Sequence, residues 1–191
     1  MLQRITKLTH RIEYWAANKS LIYHIASQYY KDVIKKEIDL ANITKSDRIL
    51  CIGGGFCPFS AILLHQATGA KVTVIDNDSA CIPKARAVVR RLGLSEHIHL
   101  ECKEGCCASL SMSEFTVVHF ALQITPIEQV FAEVEKRVNP GTKLLIRRPK
   151  DQLSNMYCKL SQTLLACCRN IQHAKARSIG STYLYIKEHA A

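Results

Sequence analysis

A chain of 191 residues can bury one substantial core but is short for two, and 48% hydrophobic against 22% charged residues excludes a disordered polypeptide. A formal net charge of +10 admits acidic partners, yet Lys and Arg are spread along the whole chain. Their densest groups, KARAVVRR, RRPK and HAKAR, have no interleaved aromatics for base stacking, so nucleic acid is an open but unfavoured partner.

The opening, MLQRITKLTHRIEYW, breaks its apolar residues with charges too often for a secretory signal, and no run approaches a membrane span. Over residues 11 to 41, Ile12, Trp15, Leu21, Ile25, Val33, Ile34 and Ile38 recur along one face, which predicts one or two helices. RILCI follows as a strand, then three glycines, then the helix PFSAILLHQATG with Pro58 at its first position and Gly69 just past its end.

The alternation repeats. KVTVI reads as a second strand, DNDSACIPKARAVVRRLG as a loop and a helix closed by Gly93, and HIHLEC as a third strand. FTVVHF is the fourth, TPIEQVFAEVEKRV a helix whose Thr125 and Glu128 have capping-box spacing around Pro126, and KLLIRR the fifth strand. A long helix is expected from about Asp151 to Arg169, then IQHAKARSI, a turn at Gly180-Ser181, and TYLYIKE, forming an antiparallel hairpin on the sheet edge.

Near-continuous apolar strands between helices imply an α/β fold, a doubly wound and mostly parallel sheet covered on both faces. No linker interrupts residues 45–191, which form the expected domain, and residues 1–44 are expected as a helical extension able to act as a lid. The nine cysteines are odd in number and include the adjacent pairs Cys106-Cys107 and Cys167-Cys168. Cys51, Cys102 and Cys158 fall within apolar segments, so buried thiols in a reducing cytoplasm are expected, and no set has zinc-finger spacing for a metal.

The glycines at 53–55 let a ligand reach the main chain, and the carboxyl end of a first strand facing a helix N-terminus is where doubly wound sheets bind nucleotides. Asp76 ends the next strand about twenty residues on, where a carboxylate accepts hydrogen bonds from ribose hydroxyls. Asp78 and Ser79 are better placed to cap the following helix, which frees Asp76 for a ligand. A dinucleotide loop would need glycine where Pro58 stands, and no G-x-x-x-x-G-K-[ST] run is present, which argues against NAD and against a P-loop.

ILCIGGGFC, VTVIDND, HLECKEG, FTVVHFALQ, VNPGTKLLIRR and the closing hairpin together resemble the class I S-adenosylmethionine-dependent methyltransferases over residues 45 to 187. The resemblance implies a seven-stranded sheet with its last strand antiparallel, and S-adenosylmethionine as cofactor. It further implies that Gly53, Gly54 and Gly55, with Phe56 and Pro58, contact the methionine portion, and that Asp76 and Asn77 contact the ribose. By the same resemblance the Lys103 to Gly105 loop, including Glu104, meets the adenine, and Ala121, Leu122 and Gln123 lie beneath the sulfonium. Cys51 stands where many members carry an acid.

The variant IGGGFCPFSAILL is most similar to the nicotianamine synthases, which transfer an aminobutyryl rather than a methyl group from the same cofactor. The leading expectation is methyl transfer to a small-molecule acceptor. Aminobutyryl transfer, an RNA-associated protein and a non-catalytic binder of the cofactor stand as alternatives. Displacement at a sulfonium chiefly needs alignment and exclusion of water. Where a base is used, His119, Gln123, Tyr23, Tyr29 and Tyr30 are the candidates, although His119, inside an apolar strand, reads more readily as a core histidine and the tyrosines read equally well as packing residues. ALQIT replaces the Asn/Asp-Pro-Pro-aromatic run of members acting on base amines or glutamine, which argues against those substrates.

Overall fold

The computed structural model describes residues 20–105, 110–157 and 160–189. The apolar runs become seven strands: β1 (Arg48–Ile52), β2 (Lys71–Asp76), β3 (Ile98–Cys102), β4 (Val117–Phe120), β5 (Lys143–Pro149), β6 (Arg169–Gln172) and β7 (Ile179–Ile186). Their order is β3-β2-β1-β4-β5-β7-β6. Strands β1 to β5 run parallel, and β7 is antiparallel to both β5 and β6. The expected doubly wound sheet with an antiparallel C-terminal hairpin is therefore formed. Its winding reverses between β1 and β4, and that junction is the crevice such sheets offer a ligand.

Helices α1 (Ser20–Ala41), α2 (Phe59–Thr68) and α3 (Cys81–Arg91) cover one face, and α4 (Ile127–Arg137) and the short α5 (Gln162–Ala166) cover the other. Alternate strand residues serve each side: Ile49, Val74, Val117 and Leu145 pack with Ile34, Ile62 and Val88, whereas Leu50, Val118, Phe120 and Ile146 pack with Phe131 and Val134. Burial on both faces explains why these strands show no polar alternation. Each fully buried Ile or Leu contributes about 1.5–3 kcal/mol by leaving water. No helix among the described residues is long and apolar enough to cross a membrane.

Several local expectations shift. Pro58 is the N-cap of α2 rather than its first residue, while Gly69 ends that helix at φ 75° as expected. Pro126, not Thr125, is the N-cap of α4, and a proline side chain has no oxygen to cap with. The long helix from Asp151 to Arg169 does not form. A 3-10 segment, Asp151–Met156, and the five-residue α5 replace it. There the Ser154 hydroxyl donates to the Asp151 carbonyl at 2.7 Å, a local bond that competes with helix continuation.

Gly180 and Ser181 lie inside β7, and the turn falls before them, where His173 N–H donates to the Gly180 carbonyl at 2.8 Å. A Cβ at Gly180 would stand 2.8 Å from the Pro149 carbonyl oxygen, so the glycine serves close strand approach instead of a turn. Cys51, Cys57 and Cys81 are buried free thiols, whereas Cys102 is exposed, contrary to expectation, because it ends an edge strand. Cys106, Cys107 and Cys158 lie outside the described residues.

Candidate functional site

The glycine loop follows β1 and is pressed against the ends of β2 and β4. Gly53 N–H donates to the Ile75 carbonyl at 2.8 Å, and Gly53 and Gly55 take φ of 86° and 61°, a region that favours glycine. Gly54 is required for space: a Cβ there would lie 2.3 Å from Val74 Cγ1. A Cβ on Gly53 would lie 3.0 Å from the Cβ of Ala121, so the loops after β1 and β4 touch at the reversal point.

Asp76 is less free than the sequence implies. Its Oδ2 accepts the Gly55 N–H at 2.7 Å and its Oδ1 accepts the Asp78 N–H at 2.9 Å. The carboxylate thereby latches the glycine loop to β2, and each oxygen retains a second lone pair for a ligand. Asp78 does not supply the expected cap: Ala80 is the N-cap of α3 without a side-chain capping bond, and Asp78 Oδ1 accepts the Ala80 N–H at 2.9 Å in the turn before the helix.

The remaining expected contacts surround this crevice. Phe56 is half-buried with Lys84 Nζ 4.8 Å from its ring centroid, Pro58 is buried, and Asn77 and Glu104 are exposed. Gly105 packs closely beneath the end of β1, since a Cβ there would lie 2.7 Å from Val130 Cγ1 and 3.0 Å from Ile52 Cγ2. Ala121 and Leu122, with Ile124, Pro149, Arg147 and Leu160, line a concavity at the ends of β4 and β5. Gln123 follows them and is half-buried.

The candidates for proton transfer divide. His119 sits inside the core at 1% exposure, not in the cleft, because its position on β4 faces α1. Tyr30 is half-buried, stacks on Phe59 with centroids 5.4 Å apart, and its ring lies 5.7 Å from Arg147 Cζ. The Tyr29 hydroxyl accepts the Arg177 N–H at 2.8 Å and the Ser178 N–H at 3.1 Å, anchoring the β6–β7 turn. The side chain of Tyr23 lies outside the described residues.

The feature that sequence reasoning missed is a buried ionic cluster centred on Glu37 of α1. Arg147 of β5 donates to it twice, Nε to Oε1 and Nη2 to Oε2, both at 2.8 Å. Thr182 of β7 donates to Oε1 at 2.7 Å, and His119 Nε2 donates to Oε2 at 3.2 Å. All four acceptor positions of the carboxylate are used. Arg147 Nη1 reaches out to Ser60 Oγ of α2 at 2.8 Å. Thr182 in turn accepts from His173 Nε2 at 2.8 Å, and His173 Nδ1 has no hydrogen-bond partner among the described residues.

Burial alone would raise the Glu37 carboxyl, but the charge of Arg147 and the bonds from Arg147 and His119 hold it well below the usual range. Burial, reinforced by the Arg147 charge, lowers His119, so its contact with Glu37 is a hydrogen bond from a neutral ring. Burial pushes the neighbouring Cys51 thiol up to about 12, which keeps it protonated. A signal was present: Glu37 lies on the same helical stripe as the buried Val33, Ile34 and Ala41, and an acid on an apolar stripe demands a buried partner.

The family described as "Nicotianamine synthase protein" matches residues 9–173. Among curated relatives, the L-histidine 2-aminobutanoyltransferase of Pseudomonas aeruginosa is 28% identical over 116 residues, covering 60% of this chain and 43% of that protein. The enzyme of the same name from Yersinia pestis is 32% identical over 69 residues, 36% of this chain and 26% of its own. The chain thus spans less than half the length of the curated relatives it matches.

Among solved structures, a point mutant of MtNAS in complex with S-adenosylmethionine superposes with a TM-score of 0.81 at 19% identity, over 98% of this chain and 76% of that one. An RNA methyltransferase from Salinibacter ruber in complex with S-adenosyl-L-homocysteine gives 0.66 at 17% identity, over 84% and 93%. Both are likenesses of fold.

Proposed function

Because the chain belongs to the nicotianamine synthase family, we propose that it is an S-adenosylmethionine-dependent transferase. It moves the 2-aminobutanoyl group onto an amino nitrogen of a small amino-acid acceptor. This reading places aminobutanoyl transfer ahead of the methyl transfer that the cofactor-binding motifs alone suggest.

The observation that carries it is the extent of the family match. It begins at residue 9 and so takes in α1 as well as the glycine loop and strands β1 to β6, whereas a cofactor-binding core alone would begin at β1. The names of the relatives from Pseudomonas aeruginosa and Yersinia pestis agree with it.

The support for an adenosyl sulfonium here is local: glycines at 53–55 keep the main chain at the end of β1 free of bulky side chains, and Asp76 has lone pairs to spare for ribose hydroxyls. S-adenosylmethionine would supply an activated leaving group: an attacking amino nitrogen would bond to the γ-carbon of the methionine portion as the carbon–sulfur bond breaks, sulfur would keep that electron pair, and the alkylated nitrogen would release one proton to solvent. The protein's tasks are to hold and align the partners and to exclude water. Gly53, Gly54, Gly55, Phe56 and Pro58 hold the methionine portion, Asp76 and Asn77 the ribose, and Glu104 and Gly105 the adenine edge. Ala121, Leu122 and Ile124 keep water from the sulfur. Gln123 and Tyr30 face the acceptor, α1 forms part of its outer wall, and His119 supports the site from within the core through Glu37.

Incubation with S-adenosylmethionine and a panel of free amino acids, L-histidine among them, tests the proposal through its by-product. Methylthioadenosine is expected. Release of S-adenosylhomocysteine would replace the proposal with methyl transfer, and failure to bind either nucleoside at millimolar concentration would remove it.

A further inference from the structure

We infer that Glu37 and Arg147 are positioning residues that couple α1 to the glycine loop. The ionic link runs through a single side chain: Glu37 holds one edge of the Arg147 guanidinium with two bonds of 2.8 Å, and Nη1 of the same group holds Ser60 at 2.8 Å. Ser60 is the second residue of α2, the helix entered directly from the glycine loop. A guanidinium is planar and its donors are fixed in a fork, so displacement of Ser60 must tilt or carry the arginine and with it the Glu37 carboxylate.

A second contact joins the same two helices. Phe59 of α2 stacks on Tyr30 of α1 with ring planes 16° apart, and the Tyr30 ring lies 5.7 Å from Arg147 Cζ. Arg147 also lines the concavity beside Ala121 and Leu122. The cluster therefore touches α1, the start of α2 and the crevice wall together.

Stability alone is a poor reason for such an arrangement. Well-packed apolar side chains of similar volume usually hold a helix to a sheet as well as a buried ion pair does. The ion pair adds direction. It sets the rotation and height of α1 over the sheet, and hence where Tyr30 stands relative to a ligand on the glycine loop. The inference rests on the proposed function only in taking that crevice as the cofactor site.

Hydrogen–deuterium exchange of the full chain, with and without S-adenosylhomocysteine, tests the coupling. The nucleoside is expected to slow exchange both in residues 53–60 and in residues 30–37. In Ser60→Ala the loop keeps its protection while that of residues 30–37 falls by at least half. The KM for the acceptor rises at least fivefold, and the Kd for the nucleoside changes less than twofold. Thr182→Val removes a buried bond to Glu37 that is off the path to Ser60, and it leaves the ligand response of residues 30–37 intact. Equal effects of the two variants, or no response of residues 30–37 in the parent, would overturn the inference. If the parent binds no nucleoside, the functional proposal is what fails. The coupling is then read without ligand: Ser60→Ala must speed exchange in residues 30–37 at least threefold, and unchanged exchange overturns it.

Discussion

Glu37 and Arg147, 110 residues apart, meet in a two-pronged hydrogen bond of 2.8 Å per prong, with the Glu37 side chain wholly removed from solvent. Removing one partner leaves the other charge buried without compensation. Glu37→Gln should cost about 3–5 kcal/mol of unfolding free energy, whereas Glu37→Leu combined with Arg147→Met should cost much less. Urea unfolding of the three proteins checks this, and a double variant no more stable than the single one would contradict it.

The same cluster sets the acid response. Burial lowers the pKa of both His119 and His173, so the folded rings stay neutral below the ordinary value of 6.5 that they regain on unfolding. The unfolded chain then binds more protons, and stability falls as pH drops below about 6.5. Glu37, held charged when folded, adds a second loss below its ordinary 4.5. Urea midpoints should be level between about pH 7 and 8 and decline from about 6.5 to 4. His119→Gln should flatten the upper part of that decline.

Two glycines separate space from backbone conformation. Gly54→Ala would put its Cβ 2.3 Å from Val74 Cγ1, so the loop must move, and nucleoside affinity should fall more than tenfold by calorimetry. Gly93→Ala meets nothing within 4 Å but forces alanine to φ +70°, so it should cost about 1 kcal/mol of stability with no change in affinity.

Asp76→Ala should weaken S-adenosylmethionine binding tenfold or more, about 1.4 kcal/mol or above. The variant loses the proposed ribose contact and also the latch on Gly55 and Asp78. Faster exchange of the Gly55 amide without ligand would report the latch by itself, and unchanged affinity would refute the ribose assignment.

How much of this was legible in the sequence follows from the range of each interaction. The β1–glycine–α2 unit and Asp76 at the end of β2 could be read directly, because a parallel strand, a tight turn and a helix start are local events with local signals. The segment after β5 misled. Its apolar residues suggest one helix from Asp151 to Arg169, but Leu160 and Leu165 are drawn into the core beneath the sheet while Ser154 and Ser161 bond their own backbone. Gly180 likewise resembles a turn residue until Pro149 is seen beside it.

By itself the sequence determined the fold class, the strand that carries the glycine loop and the carboxylate beside it, since hydrophobic period and glycine placement act over a few residues. Only the tertiary structure decided what stands behind that loop. Glu37 finds partners 82, 110 and 145 residues away, brought together by the strand order β4-β5-β7 beneath α1. A buried charge requires some partner, but which one it takes depends on the sheet being closed and the helix docked upon it.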